Sequence, residues 1–386
     1  MDARSTSVRH EAAMNLFNHL ASLLRGKGKA LLFALLITIV AMWLALRNIS
    51  SEELASALRT TNWLCLFGVA VLFMSQQWIR AWRQAVILRA HHPEHKVWNS
   101  FGVLCVGFFF INSLPLRVGE VVRPLMLRER EEIPLGQGFG MVFCERVIDL
   151  AAMLVMIGAV AWMIPVPSHE ISLAPIGINT QLDWVQLGRW SILGAIPLIL
   201  LAGGMVIFSG RRIIALLAGA ASRRGPRGRA IASRITVFGE QFIPAVEALR
   251  NPGRMTTVIL LSILTWVLTG CMYPLLAHGL GLDWYIGYGE GIAILGFTML
   301  GMTLPSLFGF AGTYEAAVVL ALSLFGVVGG TWWAGNTLDA LAAAYALTMH
   351  WWIYLVQASS AILFIMFWRV DLAKLVQGIR KIGQSE

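Results

Sequence analysis

The chain has 386 residues, of which 57% are hydrophobic and only 13% are charged. A soluble domain carries about 25% charged residues, so soluble globular, disordered and fibrous proteins are excluded. This composition predicts an all-α polytopic membrane protein. The 30 Lys and Arg residues exceed the 21 Asp and Glu residues, which gives a net charge of +9. The positions of the basic residues decide whether nucleic acid, anionic lipid or membrane topology explains this excess.

Six apolar stretches are long enough to cross a bilayer, because a spanning helix needs about 20 mostly apolar residues. They are residues 30–46, 62–79, 147–166, 191–208, 256–276 and 338–368. Three further apolar stretches are less regular, namely 98–116, 291–304 and 315–328. The last two are short for full crossings and have the length of the two halves of a re-entrant hairpin. We therefore expect six to eight transmembrane helices with two re-entrant or broken-helix regions.

Basic residues concentrate in segments that flank the apolar stretches, and nine of them lie in residues 209–255. The positive-inside rule makes these segments cytoplasmic, so we expect both termini on the cytoplasmic side of the inner membrane. The chain then divides into an amphipathic segment (1–29), a first membrane half (30–208), a basic cytoplasmic loop (209–255), a second membrane half (256–368) and a basic tail (369–386).

The basic segments lie next to the membrane and lack interleaved aromatic residues, which argues against nucleic acid as a partner. Anionic lipids of the cytoplasmic leaflet are the partners that such segments favour. A homo-oligomer stays open. The four cysteines lie in apolar runs without ligand spacing, and no nucleotide-binding motif is present. We therefore expect no metal, no cofactor and no catalytic residue.

A short motif occurs once in each half of the chain. Residues 113–119 and 303–309 both follow the pattern [ST]-L-P-x-x-x-G. Proline removes a backbone donor and glycine permits unusual dihedrals, so both motifs should break a helix at membrane depth. The helix-breaking residues are Pro115, Gly119, Pro305, Gly309 and Gly312. Topology places the first motif in a region entered from the cytoplasm and the second in a region entered from outside, which predicts an inverted repeat.

Seven charged residues lie within or beside apolar stretches and are not explained by topology. They are Arg117, Glu120, Arg123, Glu145, Arg146, Asp149 and Glu315. An ionisable group in the membrane costs at least about 2.5 kcal/mol, so its default interpretation is functional. Two structural alternatives stay open, namely an interfacial ion network around Arg146 and a protonated structural carboxyl at Glu315.

Two polar pairs lie in or at the ends of predicted spans. Arg80 and Arg83 are interpreted as residues that snorkel to the interface, although Arg80 could also reach a lipid phosphate. His350 and Gln357 are seven residues apart and therefore share one helix face. Their pattern favours hydrogen bonding between helices over a proton relay.

Four sequence blocks occur in an order that resembles a known family. Residues 112–123 read N-x-x-P-x-R-x-G-E-x-x-R, and residues 145–149 read E-R-x-x-D. An earlier R-x-W-R element occupies 80–83, and a later G-x-x-G-x-x-E element occupies 309–315. Together they resemble the flippase-like family typified by the membrane region of lysylphosphatidylglycerol synthase.

The resemblance implies an integral inner-membrane protein that moves a lipid between leaflets. In the synthase, a separate soluble domain aminoacylates phosphatidylglycerol. Only 18 residues follow Trp368 here, so we expect that domain to be absent and do not assign lysylphosphatidylglycerol as the substrate.

The leading hypothesis is a flippase for an anionic or phosphate-containing lipid. Its phosphate-binding residues would be Arg80, Arg117, Arg123 and Arg146, and its polar and coupling residues Glu120, Glu145, Asp149, Glu315 and His350. The alternatives are an intramembrane lipid-phosphate transferase with a carboxylate base and an accessory subunit of a lipid-modifying enzyme.

Overall fold

The computed structural model describes residues 35–43, 51–114, 119–163, 170–172, 181–304, 306, 309–324, 337–372, 374–375 and 377–379. Within this part the protein is all-α apart from one two-stranded hairpin. The predicted amphipathic segment 1–29 and the site residues Pro115, Arg117 and Pro305 lie outside the described residues.

The first half of the chain forms a helical segment over residues 35–43 and five further helices. These are α1 (Ser51–Arg59), α2 (Trp63–Leu88), α3 (Val97–Ser113), α4 (Val122–Glu131) and α5 (Leu135–Met163). The side chain of Asn62 caps α2 by accepting the backbone N–H of Leu64 at 2.9 Å.

Two short strands, β1 (Glu170–Ser172) and β2 (Gln181–Asp183), pair in antiparallel fashion after α5. Three long helices follow, α6 (Trp184–Ser222), α7 (Gly225–Glu247) and α8 (Pro252–Gly279). Asn251 caps α8 by accepting the N–H of Arg254, and Pro252 occupies the first helical position, where it costs no hydrogen bond. The basic segment 209–255 is thus largely helical.

The remaining helices are α9 (Tyr288–Gly301), α10 (Thr313–Leu324) and α11 (Thr337–Trp368). Helices α9 and α10 pack against each other, and α10 also packs against α11. A Cβ at Gly301 would lie 2.6 Å from the carbonyl oxygen of Thr313, so this glycine lets the two short helices come close. Both helices are short for a full crossing, as the sequence indicated.

Four helical stretches in the described part are long and apolar enough to span a membrane. They are Trp63–Leu88, Arg189–Ser222, Pro252–Gly279 and Ala340–Trp368. Large apolar side chains stay exposed along them, for example Phe67, Leu201 and Leu363, because their environment is lipid. The protein is therefore a multi-pass membrane protein.

The two breaks in the helices use different backbone devices. Between α3 and α4, a Cβ at Gly119 would lie 2.3 Å from the backbone nitrogen of Ile111, so Gly119 lies directly against the end of α3. Between α9 and α10, Gly309, Phe310 and Gly312 all have positive φ angles of 56°, 61° and 82°. Glycine adopts this conformation readily, whereas phenylalanine does so only under constraint.

Candidate functional site

A buried ion pair joins α2 to α5 and involves a residue that sequence reasoning placed at the membrane surface. Arg83 is 1% exposed and binds both carboxylate oxygens of Asp149, with Nη2 lying 2.9 Å from Oδ2. Its Nη1 also donates to the Ser262 hydroxyl of α8 at 2.7 Å. The prediction that Arg83 snorkels to the interface is wrong. Helix α2 continues past Arg83 to Leu88, and Asp149 neutralises the buried charge of that arginine.

A second buried ion pair joins α4 to α5. Arg123 is 1% exposed, and its Nη2 donates to Glu145 at 2.6 Å and to the side-chain oxygen of Gln84 at 2.7 Å. A Cβ at Gly107 would lie 2.2 Å from Cγ of Arg123, so a glycine of α3 makes room for the arginine stem. Glu145 and Asp149 share one face of α5, as their spacing predicts, and each holds an arginine from another helix.

Three arginines surround the ring of Phe108 on α3. The guanidinium carbons of Arg80, Arg123 and Arg146 lie 5.3, 5.5 and 6.0 Å from its centre. Arg146 is 44% exposed at the side chain and lies 3.6 Å from Glu120, so Glu120 pairs with α5 and not with its sequence neighbour Arg123. Together with the two ion pairs of Arg83 and Arg123, these charges are called the arginine cluster below; its members are Arg80, Arg83, Arg123, Arg146, Glu120, Glu145 and Asp149.

Arg80 differs from its neighbours because it has no ion pair or hydrogen bond among the described residues. Its guanidinium lies between the rings of Phe108 and Trp266, at 5.3 and 5.8 Å, and its Nε has no partner. Four other buried donors nearby share this lack of a partner in the described structure. They are Nε of Arg83, Nε of Arg123, Nε2 of Gln84 and Nε1 of Trp266. A buried donor without an acceptor is costly, so this cluster has unused capacity for an anion.

The second break carries one buried carboxylate and one histidine. Glu315 on α10 is 1% exposed, and its Oε2 accepts the Gly312 backbone N–H at 2.7 Å. Its Oε1 lies 2.7 Å from Nδ1 of His350 on α11. Nε2 of His350 lies 2.5 Å from the carbonyl oxygen of Gly309. His350 is thus the partner that Glu315 required from another helix.

The second break lies against the end of α3 in the folded protein. A Cβ at Gly309 would lie 3.2 Å from the carbonyl oxygen of Asn112, the residue that opens the first family block. The hydroxyls of Ser113 and Tyr354 are 2.8 Å apart and connect α3 to α11. Gln357 accepts a hydrogen bond from Gln77 and donates to the Cys105 carbonyl, so it connects helices as its pattern predicts.

Comparison with known proteins gives a family for this arrangement. The lysylphosphatidylglycerol synthase TM region family matches residues 31–350, which is most of the chain.

The chain belongs to this family.

A curated relative of this family member is the protein named glycosyltransferase AglD from Haloferax volcanii, which is 24% identical over 311 residues. The match covers 75% of this chain but only 48% of the relative, so the chain spans about half the length of that protein. No solved structure matches.

In this member of the lysylphosphatidylglycerol synthase TM region family, the early R-x-W-R element and the E-R-x-x-D block face each other across α2 and α5. Sequence reasoning missed Arg83 and Gln84 as members of the cluster. The signal was available, because Gln76, Gln77, Arg80, Arg83 and Gln84 recur at helical spacing and mark one polar face of α2. Among the described residues, no group of three or more His, Cys, Asp or Glu side chains could hold a metal ion.

Proposed function

We propose that the protein moves a lipid with an anionic, phosphate-containing headgroup between the leaflets of the inner membrane. The single observation that carries this proposal is the guanidinium of Arg80, which has no ion pair or hydrogen bond with the described residues. Among the described residues, the cluster contains four arginines (80, 83, 123 and 146) and three carboxylates (120, 145 and 149), which leaves one positive charge. A charge at membrane depth without a partner calls for a ligand of opposite sign.

Phosphate is the anion that this chemistry favours. The planar guanidinium pairs with two phosphate oxygens at once, and the buried donors around it supply further hydrogen bonds. Arg80 and Arg146 would contact the headgroup, since Arg80 has no ion pair or hydrogen bond with the described residues and Arg146 is partly exposed. Arg83 and Arg123 already hold carboxylates and would position the cluster.

The two breaks support an arrangement of two halves that move against each other. Each half contains one [ST]-L-P-x-x-x-G motif, and Gly309 of the second lies beside Asn112 at the end of α3. An inverted repeat with both termini in the cytoplasm is our proposal for the topology, and rocking of one half against the other would expose the cluster to each leaflet in turn.

An intramembrane transferase is the second candidate, and the name of the relative AglD favours it. Glu120 is a partly exposed carboxylate beside Arg146, which is a suitable arrangement for a base that acts on a lipid phosphate. Because the match covers less than half of AglD, the activity in that name is not tied to the shared region.

Reconstitution of the purified protein into liposomes tests the proposal. Labelled anionic phospholipid should move between leaflets without a change in mass, and a zwitterionic lipid should move more slowly. Arg80→Gln should reduce anionic transport at least about tenfold, the effect of losing about 1.4 kcal/mol of headgroup interaction.

The matched control is Arg212→Gln, which removes an exposed arginine outside the cluster. The thermal stability of Arg80→Gln should stay close to that of the wild type, because Arg80 makes no hydrogen bond with the described residues. A change in lipid mass would favour the transferase. Equal transport by Arg80→Gln and wild type would remove Arg80 from the site.

A further inference from the structure

The hydrogen bonds around Glu315 and His350 determine how many protons this pair can hold. Both ring nitrogens of His350 face oxygen acceptors, at 2.7 Å for Glu315 and 2.5 Å for the Gly309 carbonyl. The carbonyl can only accept, so Nε2 must carry a proton to make that bond. The other carboxylate oxygen of Glu315 already accepts the Gly312 N–H, so any proton on the carboxyl group must lie between Glu315 and His350.

Two protonation states satisfy every one of these contacts, and both contain two protons. In one, an imidazolium donates to an ionised Glu315 and to Gly309. In the other, a neutral imidazole donates to Gly309 and accepts from a protonated Glu315. Both states have zero net charge, which suits a carboxylate that is 1% exposed in a membrane protein.

Loss of one proton breaks a contact in a defined place. The best remaining arrangement keeps Nδ1–H donating to the ionised Glu315, because a bond to a charged acceptor is the stronger of the two. Nε2 then presents a lone pair to the Gly309 carbonyl, which repels it. Deprotonation therefore releases the turn formed by residues 309–312.

This turn is constrained and lies at the junction of the two halves. Phe310 has a φ of 61°, a conformation that a residue with a side chain rarely adopts without support. Gly309 lies beside the Asn112 carbonyl at the end of α3. Release of the turn would therefore change the contact between the first and second breaks.

Among the described residues, the groups that pack around the pair do not supply another charge. The Tyr314 ring stacks on His350 with centres 4.5 Å apart, and the Tyr273 hydroxyl of α8 lies 3.5 Å from that of Tyr314. The Tyr345 hydroxyl of α11 donates to the Tyr273 carbonyl, and the Ser113 hydroxyl of α3 meets Tyr354 of α11. In the described structure, no lysine or arginine forms an ion pair with Glu315.

We propose that Glu315 and His350 form a binding site for one exchangeable proton, and that its occupancy decides whether the 309–312 turn is held against α11. As a coupling site for lipid movement, this inference rests on the proposed function. The ligand is a proton, because all contacts of the pair are satisfied when it holds two protons and one contact is lost when it holds one.

Hydrogen–deuterium exchange of the full chain in lipid nanodiscs tests the site without any lipid transport. Protection of residues 309–316, corrected for intrinsic exchange, should fall about tenfold in the wild type as the pH rises and the Gly309 bond is lost. Glu315→Gln should keep high protection at every pH. Its amide can donate to Nδ1 while its oxygen accepts from Gly312, which reproduces the two-proton state.

Two further variants make the test specific. His350→Phe keeps an aromatic ring beside Tyr314 but loses both nitrogens, so protection should be low at every pH. Glu290→Gln is the matched control, because Glu290 accepts the Gly287 N–H at the start of α9 in the same way and is only partly buried. It should behave as the wild type does. Equal pH dependence in the wild type and Glu315→Gln would overturn the proton site.

A transport measurement separates this inference from the proposed function. Lipid movement in liposomes should depend on pH in the wild type and lose that dependence in Glu315→Gln. If protection titrates as expected while no lipid moves, the proton site stands and the lipid function fails. If lipid moves and protection does not titrate, the lipid function stands and the proton site fails.

Discussion

The two breaks in the membrane helices differ in how the buried charges near them are neutralised. In the arginine cluster beside the first break, buried Arg83 of α2 and Arg123 of α4 are balanced by Asp149 and Glu145 of α5. The second contains a single carboxylate, and its buried partner is a histidine. A fixed ion pair needs a second charged residue, whereas a proton can neutralise the carboxylate and leave again. The first region is therefore neutralised by fixed ion pairs, and the second by a pair that can exchange a proton.

The largest effect should follow from removing one charge of the first region. Asp149→Ala would leave Arg83 buried without its counter-ion, which should destabilise the protein by about 3–5 kcal/mol. Thermal unfolding in detergent measures this change. The double variant Arg83→Met/Asp149→Leu should recover much of the loss, because it removes both charges and keeps apolar volume. Wild-type stability of Asp149→Ala would show that the pair does not hold α2 against α5.

A smaller effect should come from the backbone of the first break. Gly119→Ala would place Cβ 2.3 Å from the backbone nitrogen of Ile111, a contact that a side-chain rotation cannot relieve. Overpacking of this kind costs about 1–3 kcal/mol. Gly194→Ala is the control, because nothing lies within 4 Å of a Cβ at that site on α6. The melting temperature should fall for the first substitution only, and an equal response of both variants would contradict the close approach.

The smallest effect concerns an exposed ion pair outside both breaks. Arg211 donates to both carboxylate oxygens of Glu247 at 2.7 Å, and this hydrogen bonding lowers the pKa of Glu247. A lowered pKa means that the stabilisation is complete above the ordinary glutamate pKa of about 4.3 and is lost as the pH falls through the lowered value. Stability curves of the wild type and Glu247→Gln should therefore differ slightly at neutral pH and converge in acid. A difference that persists in acid would assign the effect to packing.

Spans and helix breaks could be predicted from the sequence, because they depend on local properties. The length of the apolar stretches predicted α6, α8 and α11, and the glycines of the second motif predicted the turn before α10. The sequence predicted that this span ends at residue 79, whereas α2 continues to Leu88. Arg80 and Arg83 are too polar for a span unless a counter-ion is known, and Asp149 lies on a distant part of the chain.

The sequence by itself determined that the chain is a membrane protein. It also identified the family blocks and the few charges that topology does not explain. Only the tertiary structure decided which charges are paired. It placed Arg83 with Asp149, Arg123 with Glu145 and His350 with Glu315, and it left Arg80 unpaired in the described structure. The physical reason is that hydropathy is a property of single residues, whereas the cost of a buried charge depends on a partner from a distant helix.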